Sequence, residues 1–287
     1  MICKLLSFCL TPVCFVFLAC SSNSSLEPSG EERQVGSIRM NIDYAGYTST
    51  LFVDIPEKAG KYDALLIFHG TTLNDADSII AAETFLQRTK DILLRDDLII
   101  ISVGYKEENI LLGDEIAEAE AMLLWVLQQA SVDLGITLNK TYLLGHSRGG
   151  YLVTRLNSLH ATDGVIANAP GPIDLVFRCG LEERGDIQPG QVCGAIRNAH
   201  GTTVENPSAY YERSLLNFTT GLKSRMLFVQ GLLDSPIQLS VFPNFIEMLN
   251  SCVDCAEFQV VEIENAHHAA MFDSVEGFDA LNEFLAK

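Results

Sequence analysis

The chain has 287 residues, of which 48% are hydrophobic and 20% are charged, and its formal net charge is -18. This composition is typical of a folded α/β protein and argues against extended disorder. The negative charge disfavours nucleic-acid binding, because a protein that neutralises phosphates needs clustered Lys and Arg side chains.

The first twenty residues have the character of a targeting segment. Lys4 precedes an apolar stretch over residues 5–19, which Pro12 interrupts and which is too short for a membrane span. Phe17-Leu18-Ala19-Cys20 resembles the lipobox of bacterial lipoprotein signals. The resemblance implies a signal peptide over 1–19, a lipid on Cys20, and a bacterial cell-envelope protein anchored to a membrane. An ordinary secretory signal is the alternative. Residues 20–36 then form a polar tether.

The rest of the chain, residues 37–287, alternates strand and helix patterns. Apolar and polar residues alternate over 38–44 and 51–55, which predicts an antiparallel hairpin at a sheet edge. Continuous apolar runs follow at 64–68, 98–101, 142–144, 165–167, 226–229 and 258–261, and helical stretches at 76–94, 116–129, 149–159, 236–249 and 274–285. Strands that are apolar on both faces belong to a parallel sheet covered by helices. We therefore predict one α/β domain with a mostly parallel, doubly wound sheet.

Residues 171–206 interrupt this alternation. The segment is rich in Gly and Pro and contains Cys179 and Cys193, so it is predicted to be an irregular insertion, either a cap over a pocket or a long surface loop. Cys252 and Cys255 are the remaining cysteines beyond the targeting segment. An even number in an exported protein suggests disulfides. Proximity favours Cys179–Cys193 and Cys252–Cys255, although four cysteines allow three pairings.

The stretch Gly145-His146-Ser147-Arg148-Gly149 fits the pattern G-x-S-x-G. The pattern alone is weak, but here it follows an apolar strand and precedes a helix, which is the setting of a nucleophile elbow. The two glycines avoid collisions with the neighbouring strand and helix, and the helix N-terminus supplies positive potential where an oxyanion would form. A plain Gly-rich turn or a phosphate-binding loop is the alternative. The second lacks the Walker lysine.

A serine hydroxyl needs an adjacent base before it can attack a carbonyl. Asp234 follows the strand that ends near Gln230, and the pair His267-His268 follows the last strand. The order Ser147, Asp234, His268 places all three residues at strand ends on one edge of the sheet, where ligands bind in open α/β folds. Asp174 is the alternative acid.

On these residues the chain resembles the α/β-hydrolase superfamily over almost all of 38–285, and most of all its prolyl-oligopeptidase and dienelactone-hydrolase branches. Glu264-Asn265-Ala266-His267-His268 is similar to the E-N-A-G-H run of that family, which aligns His268 with the catalytic histidine. The departure is His267, where the peptidase branch often has glycine. His267 therefore stays open as the alternative base.

The resemblance also assigns an oxyanion hole. One donor is the backbone N–H of Arg148, and the other comes from the loop that begins His69-Gly70, from Thr71 or, if the loop is wound differently, from Thr72. His69 is interpreted mainly as a loop-packing residue. The Arg148 side chain is expected at the surface or in a surface ion pair, with contact to a substrate carboxylate as the alternative.

These features together predict an exported serine hydrolase that cleaves a carboxylic ester through an acyl-enzyme. No metal or organic cofactor is required, and the expected partner is a small-molecule ester. The first alternative is a serine peptidase acting on short peptides, although that branch usually carries a β-propeller for which these residues leave no room. The second alternative is a non-catalytic, lipid-anchored binding protein of the same fold.

Overall fold

The computed structural model describes residues 35–58, 60–72 and 74–287, and within them one mixed sheet organises the chain. Its strands are β1 (Gly36–Tyr44), β2 (Tyr47–Ile55), β3 (Lys61–Phe68), β4 (Leu98–Gly104), β5 (Thr137–His146), β6 (Gly164–Asn168), β7 (Met226–Gly231) and β8 (Phe258–Ile263). The spatial order is β1-β2-β4-β3-β5-β6-β7-β8. β1 pairs antiparallel with β2, and β2 with β4, while every later pair is parallel. This confirms the predicted mostly parallel sheet with an N-terminal antiparallel hairpin.

Helices cover both sides of the sheet, and two apolar clusters result. Along β3, Leu66 belongs to one cluster and Leu65 to the other, because successive strand side chains point to opposite faces. This double burial explains the unbroken apolar runs of the central strands. The helices are α1 (Asp75–Ile92), α2 (Ile116–Gln128), α3 (Ala130–Asp133), α4 (Arg148–Leu159), α5 (Leu175–Arg184), α6 (Gln191–His200), α7 (Pro207–Tyr211), α8 (Pro236–Asn250), α9 (Ala270–Asp273) and α10 (Val275–Leu285), with a short 3₁₀ helix at Leu215–Phe218.

The sheet order contains a topological switch point. The chain leaves β3 for β4 on one side and later returns to β5 on the other, so β3 and β5 are neighbours whose following loops diverge. Ligands bind at such crevices beyond the carboxyl ends of parallel strands. The loop after β3 carries Thr71 and the turn after β5 carries Ser147. The fold therefore brings both candidate groups to one place.

The segment 171–206 is more regular than its composition indicated. The prediction of an irregular insertion is wrong, because α5 and α6 occupy most of it. Gly185 ends α5 in a left-handed conformation with φ of 77°, so glycine terminates a helix here rather than preventing one. Asp174, the alternative acid, accepts a hydrogen bond from the Phe177 N–H at the start of α5. Asp174 therefore caps a helix.

The four cysteines in the described region form two disulfides. Cys179 of α5 bonds to Cys193 of α6, and Cys252 bonds to Cys255 after α8. The first disulfide lies in the core and joins the two insertion helices, whereas the second is partly exposed. Cys20 and the targeting segment lie outside the described residues. Among the helices of the described part, none is long and apolar enough to cross a membrane.

Candidate active site

Ser147 occupies a strained turn between β5 and α4. Its φ is 56° and its ψ is -116°, a conformation that costs free energy for a residue with a side chain. The Ser147 N–H donates to the Asn168 carbonyl at 2.9 Å, which holds the turn. A Cβ on Gly149 would lie 1.9 Å from the Phe68 carbonyl oxygen, so β3 and α4 approach closely only because this residue is glycine. The predicted elbow geometry is present at Ser147.

The three predicted triad side chains lie in one hydrogen-bonded line. Ser147 Oγ is 2.9 Å from His268 Nε2, and His268 Nδ1 is 2.8 Å from Asp234 Oδ2. Since an ionised carboxylate only accepts, Nδ1 of His268 carries the proton and Nε2 is left to accept one from the serine. The Asp234 side chain is 4% exposed and that of His268 is 46% exposed. A buried acid thus orients a half-exposed base beside the hydroxyl.

Backbone contacts join the loop of the acid to the loop of the base. The Leu233 N–H donates to the Ala266 carbonyl at 2.9 Å, and the Leu232 N–H donates to the Ile263 carbonyl at 2.9 Å. His267, the alternative base, points Nδ1 at the Leu233 carbonyl, 2.9 Å away. Its contact therefore braces the two loops, while His268 is the histidine that reaches Ser147.

Asp234 remains ionised because several donors surround it. Burial raises its pKa, but hydrogen bonds from His268, from Gln230 at 2.9 Å and from the Ser235 N–H at 2.6 Å outweigh burial, so the pKa lies below the ordinary value. Gln238 in turn donates to Gln230 at 3.1 Å. Gln230 was not among the predicted site residues, although a polar residue near the end of an apolar strand was a usable signal.

His146 and Asn168 support the base from the other side, and both were missed as site residues. Asn168 donates to His146 Nδ1 at 2.7 Å and to the His268 carbonyl at 3.1 Å, and its own oxygen accepts from the Met271 N–H. The His146 ring packs edge-on against His268 with centroids 5.0 Å apart. Removal from water, and then the charge on His268, lower the pKa of His146 to about 3. His146 is therefore a neutral packing partner.

The two backbone N–H groups predicted to bind an oxyanion, those of Arg148 and Thr71, make no hydrogen bond among the described residues. The Thr72 N–H, the alternative donor, already donates to Glu107 Oε1 at 3.1 Å. Gly70 keeps this loop close to Ser147, since a Cβ on it would lie 3.3 Å from Ser147 Cβ. The geometry favours Thr71 over Thr72.

The Arg148 side chain is buried, and the expectation of a surface position is wrong. It is 6% exposed, and it donates from Nη1 to Glu107 at 2.8 Å and from Nε to Glu115 at 3.0 Å. Both carboxylates are almost fully buried, and burial raises the pKa of Glu107 above its ordinary value against the pull of Arg148. A buried guanidinium requires such partners because an unpaired charge is costly away from water.

His69 packs in the loop, as its sequence context suggested. Its ring stacks on Tyr105 with centroids 4.4 Å apart, and Nδ1 lies 2.7 Å from the Gly70 carbonyl oxygen. Burial lowers the pKa of His69 to about 4. A ring that is neutral and held on both sides fixes the start of the loop that carries Thr71.

Two cavities flank that loop. One has a volume of about 360 Å³ and is lined by Arg148, Glu107, the loop over 109–112 and Val192 of α6; we call it the Arg148 cavity. The other, also about 360 Å³, is more open and is lined by His146 and by residues of α1; we call it the His146 groove. Thr71 and Thr72 belong to both. The residues before and after Ser147 thus contribute to different cavities.

Comparisons with solved structures show the fold of this chain, whereas comparisons of its sequence find no match. No family model matches the chain, and no curated protein matches it in sequence. A truncated carbohydrate esterase from gut microbiota superposes with a TM-score of 0.67 at 17% identity, covering 89% of this chain and 97% of that one. A Rhizomucor miehei esterase gives 0.64 at 17% identity, with 88% and 82% covered. The chain has the α/β-hydrolase fold.

One neighbour of a different kind shares this fold. The Pyrococcus horikoshii acylaminoacyl peptidase gives a TM-score of 0.60 at 12% identity, and the match covers 87% of this chain but only 41% of the peptidase. At identities this low, structural similarity shows the shared α/β-hydrolase fold and does not show a shared function or substrate.

Proposed function

We propose that this chain is an α/β-hydrolase-fold serine hydrolase that cleaves carboxylic esters. The observation that carries the proposal is the continuous line from Ser147 Oγ through His268 to Asp234, with contacts of 2.9 and 2.8 Å. Chemically, that line supplies a nucleophile, a base within hydrogen-bond reach and an acid that orients the base.

The proposed reaction has two acyl-transfer steps. His268 takes the Ser147 proton as Oγ attacks the ester carbonyl carbon, and Asp234 holds and stabilises the imidazolium that forms. The N–H groups of Arg148 and Thr71 bind the oxyanion. Its collapse expels the alcohol, which takes the proton from His268, and leaves an acyl-Ser147. Water then attacks the acyl group with His268 as base and releases the acid.

An ester is preferred over a peptide substrate for this chain. Several structural neighbours are described as esterases, including the gut-microbiota carbohydrate esterase, the Rhizomucor miehei esterase and the EstE1 carboxylesterase. The neighbour described as a peptidase matches over less than half of its own length. An alcohol is also a better leaving group than an amine, so the triad and the two oxyanion donors are sufficient for ester cleavage.

The test compares two chromogenic substrate classes. We expect the purified protein to hydrolyse p-nitrophenyl acetate and to leave aminoacyl-p-nitroanilides almost untouched. Ser147→Ala should abolish turnover and preserve the far-UV circular dichroism spectrum and the thermal unfolding midpoint. Faster cleavage of the anilides would favour the peptidase alternative. No turnover of either class, with Ser147 unreactive, would favour the binding-protein alternative.

We also propose that Cys20 carries a lipid that anchors the protein in a bacterial cell envelope, and that residues 1–36 comprise its signal and tether. This rests on the sequence Phe17-Leu18-Ala19-Cys20 alone. Metabolic labelling with radioactive palmitate in a bacterial host tests it. Label in the wild-type protein and none in Cys20→Ser is the expected result, and equal label in both would contradict it.

A further inference from the structure

Arg148, one of the residues that line the Arg148 cavity, has an unused hydrogen-bond donor in its side chain. Arg148 donates from Nε to Glu115 and from Nη1 to Glu107, and its buried Nη2 has no partner among the described residues. Leaving a charged donor unpaired and out of water costs free energy. A ligand group that accepted a hydrogen bond from Nη2 would recover part of that free energy. Arg148 lines the cavity next to the candidate oxyanion donors, where part of a bound ester would lie.

The charges around this donor limit which group can fill it. One guanidinium stands beside two carboxylates, those of Glu107 and Glu115, so the site has no surplus positive charge with which to attract an anion. Glu107 accepts one hydrogen bond at each carboxylate oxygen, from Thr72 and from Arg148, and each oxygen can accept another. The pair therefore offers a donor and an acceptor together, which fits a neutral hydroxyl.

The remaining cavity wall suits a ring that bears several hydroxyls. The lining residues include polar ones, such as Asn109 and Gln191, and apolar ones, such as Leu111, Leu112 and Val192. Sugars present hydroxyls at the ring edge and C–H groups on the ring faces, and a mixed wall can contact both. In an ester of a carbohydrate, these hydroxyls belong to the alcohol portion.

We propose that the Arg148 cavity binds the hydroxylated alcohol portion of a carbohydrate ester, with Arg148 donating to a substrate hydroxyl that in turn donates to Glu107. The inference rests on the proposed esterase function and names its substrate class. It assigns the side chains of Arg148 and Glu107 to substrate binding, apart from the role of the Arg148 backbone N–H.

Three acetate esters that share one leaving-group skeleton test this assignment. They are methyl 6-O-acetyl-α-glucopyranoside, cyclohexylmethyl acetate, which lacks the hydroxyls, and (4-carboxycyclohexyl)methyl acetate, which carries an anion. For the wild-type protein we expect a kcat/KM for the glucoside roughly 10-fold or more above that for the cyclohexyl ester, as hydrogen bonds to charged groups give. The anionic ester should be the poorest substrate.

Two conservative variants locate the preference. Arg148→Lys keeps the charge and removes Nη2, and Glu107→Gln removes the charged acceptor. Each should lower the glucoside-to-cyclohexyl ratio about 10-fold, mainly through KM for the glucoside. Arg184→Lys, at an arginine that is 60% exposed and paired with Asp186, is the matched control and should keep the wild-type ratio.

The outcomes separate this inference from the proposed function. A wild-type ratio near or below one, a preference for the anionic ester, or a ratio unchanged in both variants would overturn the inference while the protein remains an esterase. If the variants fail to fold, the wild-type ratio still decides. Failure of the proposed function looks different: none of the three esters is cleaved and Ser147 does not react with a fluorophosphonate.

Discussion

Two regions that meet at Ser147 handle charge in different ways. In the triad loops, the single carboxylate of Asp234 is buried but is met by three donors, and its histidine is half exposed. In the wall of the Arg148 cavity, one guanidinium and two carboxylates are withdrawn from water together. Strand ends and backbone contacts position the first region, and side-chain ion pairs position the second. We therefore expect substitutions in the triad loops to alter chemistry and those in the cavity wall to alter stability and selectivity.

The largest expected effect tests the triad side of this comparison. Asp234→Asn removes the charge that stabilises the imidazolium and favours the wrong tautomer of His268, so kcat/KM should fall by about 10³–10⁴. The far-UV circular dichroism spectrum should be unchanged, because the amide still fills the space. Steady-state kinetics on p-nitrophenyl acetate measures the loss. A loss below tenfold would mean that Asp234 does not orient the base.

Arg148→Met tests the cavity side. It leaves Glu107 and Glu115 buried without a counter-charge, which typically costs about 3–5 kcal/mol of unfolding free energy. Urea unfolding at neutral pH measures this loss, and Arg148→Met combined with Glu115→Gln should recover part of it.

Arg184→Met is the matched control, because Arg184 is 60% exposed and its ion pair with Asp186 lies in solvent. It should cost less than about 1 kcal/mol. Equal costs at the two arginines would contradict the claim that the Arg148 network holds the cavity wall together.

The two disulfides differ in their distance from the Arg148 cavity. Cys179–Cys193 spans 14 residues and joins the helices beside the cavity, while Cys252–Cys255 spans 3 and lies away from it. On the loop-entropy model, replacing each pair by alanine should cost about 3 and about 2 kcal/mol of unfolding free energy respectively. Only the first replacement should change the ratio of rates for bulky and small esters. A change caused equally by the second would refute a cavity-shaping role for α5 and α6.

A further effect concerns the pH dependence of stability, and it comes from His69 and His146. Folding lowers their pKa values from 6.5 to about 4 and about 3, so between these values and 6.5 the unfolded chain binds more protons than the folded one. Stability is therefore retained above pH 6.5 and is lost as pH falls, by about 1.4 kcal/mol per pH unit for each histidine. Urea unfolding at pH 5 and pH 6 measures the slope.

His146→Gln should remove about one proton from that slope. At pH 8 both histidines are neutral in both states, so the variant and the wild type should have the same slope there. An unchanged slope at pH 5–6 would contradict the shielding of His146.

The sequence predicted the parts of the molecule that local chemistry determines. Apolar runs such as 64–68 specified the parallel strands, and the glycines around Ser147 specified the elbow, because both signals lie within a few residues. Chain order indicated Asp234 and the pair His267-His268, and the resemblance to the E-N-A-G-H run favoured His268 within that pair. The helices of 171–206 were not predicted, because glycines such as Gly185 were interpreted as preventing helices rather than ending one.

Long-range partners could not be predicted from the sequence. Arg148 meets Glu107 and Glu115, which lie 41 and 33 positions earlier in the chain, and no periodic pattern links them. Asn168 meets His268 from 100 positions away for the same reason. Only the folded sheet brings these residues together. The sequence around Arg148 therefore could not predict that its side chain is buried.

The most direct test of the account is covalent labelling of Ser147 by a fluorophosphonate, followed by intact mass and peptide mapping. We expect stoichiometric phosphonylation at Ser147 in the wild-type protein, almost none in His268→Gln, and near wild-type labelling in His267→Gln. Labelling that survives in His268→Gln but is lost in His267→Gln, or a wild-type Ser147 that does not react, would contradict it.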